Sequence, residues 1–353
     1  MRVALVGAGS MGTVIGAYLT KGGIDVEMFD AHEGNVKALQ ENGATIQHLE
    51  PERTFTIPVK AFTPDKMSGI YDLILLTTKQ TANPVVLPNL LKYMNENSII
   101  CALQNGIPEP SVAEIVGLER TIGGSMLFSS TWQGPGVSAA TGTYDLLKET
   151  SFEIGEIGKP STPRLYQVQD VLRHVGGTKV MDNLMDVRWT KLIINCCGSG
   201  MSAALGCTFG EAVDNERALA CFAFIARECT RVCKAEGFQM MSIYGVNFDM
   251  DWETKEEMRA IMVKWRDLYH MAPGGKASML QDLEKGLKTE ATFINGHTAA
   301  FGKKHGIFTP FCDMVVTLVQ EAEERKGINS LDDVSRFDEL LADYMDVIES
   351  MKL

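Results

Sequence analysis

Positive charge is scarce in this sequence. Across 353 residues, 33 Lys and Arg stand against 45 Asp and Glu, a formal net charge of −12, so a polyanion such as nucleic acid or an anionic membrane surface is repelled rather than gathered. Long apolar runs are missing too. The longest, Leu192 to Leu205, carries Asn195 and Ser199 and falls short of the roughly 18 residues that mark a membrane span, so a buried helix is expected there. The N-terminus reaches glycine after one short apolar run, without the longer apolar region and cleavage site of a signal peptide. The expected location is the cytoplasm. No Cys-x-x-Cys pair occurs, and Cys196 and Cys197 are adjacent, so the eight cysteines read as reduced, mostly buried thiols rather than a disulfide framework or a zinc site. His32, His48, His174, His270, His297 and His305 show no metal-ligand spacing, and no Gly-x-Ser-x-Gly elbow is present. No metal, no catalytic histidine and no serine hydrolase is expected.

What is present is ordinary globular composition, 45% hydrophobic and 22% charged, in a length suited to about two domains. Val3 to Val6, Asp25 to Phe29, Asp72 to Thr77 and Ser98 to Leu103 are short apolar runs, alternating with helical patterns from Met11 to Lys21, Asn35 to Asn42 and Val85 to Met94. Uninterrupted apolar strands of this kind are covered on both faces, as in a parallel α/β sheet. From Thr121 to Gly158 the short strands, separated by Gly134-Pro135-Gly136 and Gly142, predict an antiparallel extension of that sheet. After a last strand at Thr178 to Met181 the pattern turns helical nearly to the end. The expected division is 1–182, a dinucleotide-binding Rossmann-type α/β domain, and 183–353, an all-α domain. The stretch from Tyr244 to Pro273 reads as a wall or lid, or as extra helical packing. Phe337 to Met351 reads as an amphipathic helix, docked on its own domain or serving an interface.

Gly7-Ala8-Gly9-Ser10-Met11-Gly12 is a G-x-G-x-x-G string between a strand and a helix. There the first glycine makes the turn, the second lets backbone approach a pyrophosphate, and the third lets helix and strand pack closely. The helix N-terminus adds N–H donors for the diphosphate. Asp30, at the end of the second strand, can accept from a ribose diol and repels a 2′-phosphate, and no Lys or Arg follows before Lys37. NAD(H) is therefore favoured over NADP(H), which stays open; the plainer reading of Asp30 is a helix cap.

Further along come Thr78-Lys79-Gln80, Gln104-Asn105-Gly106, Trp189-x-Lys191-x3-Asn195, Ser278-Met279-Leu280-Gln281-Asp282, Thr289-Glu290 and Ile294-Asn295-Gly296. In this order, after the glycine string, the chain resembles the ketopantoate reductase family over nearly its whole length. The resemblance implies a Rossmann domain and a helical substrate and dimerisation domain, an active site in the cleft between them, and a homodimer. It implies reduction of a small-molecule 2-oxo acid, with hydride from NAD(P)H. By matching position Lys191 is the proton donor and Glu290 the carboxylate that organises lysine and cofactor. Lys79 and Asn105 border nicotinamide and substrate, Ser129 falls at another cofactor-facing position, and Asn195 and Ser278 are substrate contacts.

The residue chemistry stands beside this. Hydride reaching a carbonyl carbon leaves negative charge on oxygen, so a protonated group must sit there. Burial in a cleft would lower the Lys191 pKa and a nearby Glu290 would raise it. Residues 191 and 195 are four apart and share a helix face. The chain also departs from the family pattern. A second asparagine and a proline are replaced by Ser199 and Gly200, kept here as part of the substrate side, and a further asparagine by Phe209. Losing such hydroxyl-binding groups relaxes or redirects specificity, so a branched or aromatic 2-oxo acid stands beside ketopantoate. A non-catalytic dinucleotide sensor, or a dehydrogenase of a hydroxyalkyl phosphate or an amino-acid conjugate, are the other readings.

Overall fold

The computed structural model describes residues 1–243 and 245–351. The chain divides into two compact units after Val187. That point lies inside the helix Leu184–Ile194, rather than ahead of it at Asp182.

The N-terminal unit is built on an eight-stranded sheet. Its order is Thr178–Val180, Phe152–Gly155, Thr121–Met126, Ile99–Ala102, Leu73–Leu76, Val3–Val6, Val26–Phe29, Lys60–Phe62. The central strands Val3–Val6, Leu73–Leu76 and Ile99–Ala102 are buried at every residue, which is why their sequences are continuously apolar. Neighbours are parallel except Phe152–Gly155, which runs antiparallel to Thr121–Met126. The expected antiparallel extension over 121–158 is therefore only partly right. Thr121–Met126 is parallel to Ile99–Ala102. The Ser130–Gly134 and Val137–Ala140 hairpin leaves this sheet and forms a second one with Ala44–Gln47 and Phe55–Ile57. Its turn depends on positive φ at Gly134 and Gly136, a conformation glycine adopts without steric cost. The Gly136 N–H then donates to Asn35 Oδ1 at 2.8 Å, which ties the hairpin to the helix Glu33–Asn42.

The C-terminal unit is helical. Glu216–Ala235 is its long central helix, with Ala220, Phe222, Ala223 and Ile225 fully buried. Lys255–His270, Asn295–His305 and Pro310–Glu324 pack around it. Tyr244 lies outside the described residues. The rest of the stretch ending at Pro273 supplies a two-residue strand, Val246–Asn247, and the Lys255–His270 helix, whose Trp265 and Tyr269 turn inward. This is helical packing. The chain end is not one helix but a series of short turns, Leu331–Phe337, Asp338–Leu341, Ala342–Tyr344 and Met345–Glu349. They dock on their own unit, with Phe337 stacked on Phe311 and Tyr344 edge-on to Phe224, 4.9 Å between centroids. All eight cysteines are free and buried, and no described helix is long and apolar enough to cross a membrane.

Candidate active site

Four adjacent parallel strands of the N-terminal unit end side by side, and most of its candidate residues lie on those ends. Carboxyl ends of parallel strands are where open α/β sheets bind ligands. Val3–Val6 runs into Gly7, whose φ of +106° needs glycine, and whose added Cβ would lie 2.6 Å from the Thr78 nitrogen. The helix Ser10–Lys21 begins at Gly9, with no side-chain cap and no acid in its first turn, so its first N–H groups and positive dipole end stay available to an anion. A Cβ at Gly12 would lie 2.0 Å from the Gly7 carbonyl oxygen, whereas one at Gly9 meets no protein atom within 4 Å. Gly12 thus serves packing. Gly9 faces open space beside the helix start, and this fits a bound dinucleotide phosphate. The Ala8 carbonyl is fixed by Thr13 Oγ1 at 2.9 Å and Asn35 Nδ2 at 2.8 Å.

Asp30 follows the neighbouring strand and accepts from the His32 N–H at 2.8 Å. The cap of the next helix is His32, whose Nδ1 accepts from Asn35 N, so Asp30 is not that cap. Burial pushes the Asp30 carboxyl above its ordinary value, against hydrogen bonds that lower it.

On the other side, Lys79 and Asn105 follow the ends of Leu73–Leu76 and Ile99–Ala102. The Gln80 amide donates to the Asn105 carbonyl at 2.6 Å and the Gln104 amide to the Thr78 carbonyl at 2.7 Å, so the two loops brace each other. Ser129 is exposed and its hydroxyl pairs with Thr141. The residue that reaches the glycine turn is its neighbour Ser130, 2.8 Å from Ser10 Oγ.

In the C-terminal unit, Trp189 is buried against His297 and Phe301 and sets which face of Leu184–Ile194 turns inward. Lys191 is half-buried on this helix, and loss of water around its ammonium holds the pKa below the ordinary lysine value. Asn195 and Ser199 are the first and last residues of a π-turn, Asn195–Ser199, that interrupts the helix. Such turns are rare and frequent at functional sites. Two donors meet carbonyls at its start: Tyr269 Oη reaches the O of Ile194, the residue just ahead of it, and Asn295 Nδ2 reaches Cys196 O within it, each at 3.1 Å. Glu290 is buried. It precedes the short turn Ala291–Phe293, in a segment anchored by Thr289, which donates its N–H and hydroxyl to Glu323 at 2.8 and 2.6 Å. Ser278 is exposed and begins the helix Ser278–Glu284, where its hydroxyl caps nothing. Phe209 packs on Tyr269 with centroids 4.9 Å apart. Reading by residue type passed over Ser130 and Tyr269; the signal available for Tyr269 was Gly198, a glycine inside a helical pattern, which marks a close approach.

The ketopantoate reductase PanE/ApbA family matches residues 3–152, and the C-terminal domain of that family matches residues 183–323. The chain belongs to the ketopantoate reductase family. A 2-dehydropantoate 2-reductase of Streptococcus pyogenes serotype M3 is 28% identical over 327 residues, 92% of this chain and 98% of the relative. One from Pyrococcus horikoshii is also 28% identical, over 93% and 99%. Among solved structures, the fold is similar to that of D-mandelate dehydrogenase with NADH and anilino(oxo)acetate, with a TM-score of 0.79, 22% identity, and 92% and 99% coverage. It is also similar to 2-dehydropantoate 2-reductase from Geobacter metallireducens GS-15, with a TM-score of 0.76, 26% identity, and 91% and 100% coverage.

Proposed function

We propose that this ketopantoate reductase family member reduces a 2-oxo acid to the 2-hydroxy acid, with NADH preferred over NADPH. The observation that carries the reading is the glycine turn, where Gly9 opens onto free space at an uncapped helix start in a chain whose relatives are named 2-dehydropantoate 2-reductases. A nicotinamide cofactor bound there supplies the hydride.

The protein's own part is to bind, orient and protonate. Gly7 to Gly12 receive the diphosphate, Ser130 backs the same turn through Ser10, and Asp30 accepts from the ribose. Lys79 and Asn105 border the reacting end, and Ser129 stands beside Ser130 at the edge of the cofactor side. Lys191 Nζ gives its proton to the carbonyl oxygen as charge develops there, and its depressed pKa makes the proton easier to release at neutral pH. Glu290 orients the lysine, while Asn195, Ser199 and Ser278 hold the acid. Residues 183–353 carry the substrate side and the dimer contact.

The side chain of the acid is the open choice. Phe209, packed on Tyr269 where the family has a polar residue, supports a branched or aromatic 2-oxo acid over ketopantoate, because an apolar wall cannot pair a substrate hydroxyl. The test is a panel of 2-oxo acids, ketopantoate included, followed at the reduced-nicotinamide band with NADH and NADPH in parallel. Reduction of at least one acid, faster with NADH, is expected. Failure with every acid and both cofactors leaves a dinucleotide-binding sensor as the better reading.

A further inference from the structure

The Asn195–Ser199 π-turn is gripped from two sides. Tyr269 Oη donates to Ile194 O and Asn295 Nδ2 donates to Cys196 O, each at 3.1 Å. Glycine makes room for both. A Cβ at Gly198 would sit 1.8 Å from Tyr269 Oη, and one at Gly200 would sit 2.5 Å from Asn295 Oδ1. We infer that Tyr269 and Asn295 are positioning residues, which hold the π-turn so that Asn195 is set to take the 2-oxo acid; this rests on the reduction proposed above.

Packing alone does not account for these two side chains. Tyr269 lies in an aromatic cluster with Phe209, Phe222 and Trp265, at centroid distances of 4.9, 5.7 and 5.7 Å. A phenylalanine would make the same ring contacts without a hydroxyl to desolvate. Asn295 is fully buried, yet its Oδ1 has no partner among the described residues. A leucine would fill similar volume without leaving a polar atom unpaired. What both polar groups contribute is a donor to a carbonyl at the start of the turn, Tyr269 to Ile194 just ahead of it and Asn295 to Cys196 within it. Widening from the i→i+4 to the i→i+5 pattern opens the ladder to such side-chain donors. Burial pushes the Tyr269 phenol well above its ordinary pKa, so it stays a neutral donor throughout the working pH range.

The effect is expected to be selective. The bonds of the two donors go to Ile194, three residues beyond Lys191 on its helix, and to Cys196, not to Lys191 itself. The glycine turn belongs to the other unit, so the larger effect is expected on Asn195 rather than on proton donation or cofactor binding. The test is Tyr269→Phe, which keeps the ring and deletes the hydroxyl. Loss of one such hydrogen bond should raise KM for the reduced 2-oxo acid about tenfold, with kcat changed by less than about twofold and the Kd for NADH unchanged. Asn295→Ser, which shortens the second donor, is the second variant and should move KM in the same direction. Trp265→Phe is the control: it touches the same cluster but makes no bond to the turn, so it should lower Tm and leave KM alone. The inference is overturned if both donor variants keep the wild-type KM, or if Trp265→Phe raises KM as much as they do. Wild-type protein that reduces no 2-oxo acid would defeat the underlying reading and this inference together, whereas active wild type with indifferent variants defeats the inference alone.

Discussion

Thr77 donates its hydroxyl to the Gly7 carbonyl oxygen at 2.7 Å, and the Thr77 N–H donates to Val6 O at 2.9 Å. The first glycine of the turn is thus held from the next strand, not only by its own helix. With the Gln80 and Gln104 bridges, the bonding continues from the glycine turn to Asn105.

The two later glycines of the turn separate binding from folding. A Cβ at Gly9 meets no protein atom, but one at Gly12 lies 2.0 Å from a backbone oxygen. Gly9→Ala should keep the wild-type Tm and weaken NADH binding by about tenfold or more, some 1.4 kcal/mol. Gly12→Ala should lower Tm whether or not cofactor is present. Fluorescence titration and thermal melts check both, and a Gly9→Ala protein that binds NADH normally would remove the diphosphate from this turn.

Asp30 should govern cofactor choice. A carboxylate there repels a 2′-phosphate, so Asp30→Ser should raise kcat/KM for NADPH relative to NADH by about tenfold. Unchanged preference in steady-state kinetics with the two cofactors would assign selectivity elsewhere.

Lys191 should set the alkaline limb of the pH profile. Its pKa is lowered by burial, so reduction, which needs the ammonium, should decline as pH rises through a value below that of an ordinary lysine. Oxidation of the hydroxy acid, which needs the neutral amine, should rise over the same interval. Lys191→Ala should lose about 10² to 10⁴ in kcat while still binding NADH. A variant retaining near-normal kcat would refute the role.

Glu228 should make stability depend on pH. Its buried carboxyl accepts from the N–H groups of Phe311 and Cys312 at 3.0 and 2.9 Å, yet burial raises its pKa to about 8. Between the ordinary carboxylate value and about 8 the folded state holds a proton that the unfolded state has lost, so stability falls as pH rises across that window. Tm measured from pH 5 to 9 should fall less steeply for Glu228→Gln than for wild type; equal slopes would exclude Glu228 as the cause.

The parallel core was legible because strands buried on both faces leave continuous apolar runs, and the glycine turn because its spacing is tied to one geometry. The hairpin of Ser130–Gly134 and Val137–Ala140 was not. Its sheet depends on pairing with Ala44–Gln47, far away in sequence and invisible to local patterning. The same hairpin decides that Ser130 rather than Ser129 meets the glycine turn, since neighbouring residues of a strand point to opposite faces. Lys191 and Asn195 could be placed on one helix, but the π-turn could not be foreseen. Its support comes from Tyr269 and Asn295, and only Gly198 and Gly200 hint at their approach.

In an α-helix each residue advances the side chains by about 100°, so a wide turn acts as a phase shift in the helical register. Everything after Ser199 is rotated relative to Lys191 from where an uninterrupted helix would carry it. Forcing the same five residues of Asn195–Ser199 into regular helix would turn the buried Met201, Ala204 and Leu205 out of phase with their packing. The pitch of this segment is therefore as constrained as its composition, and the two glycines that admit Tyr269 and Asn295 should tolerate substitution poorly.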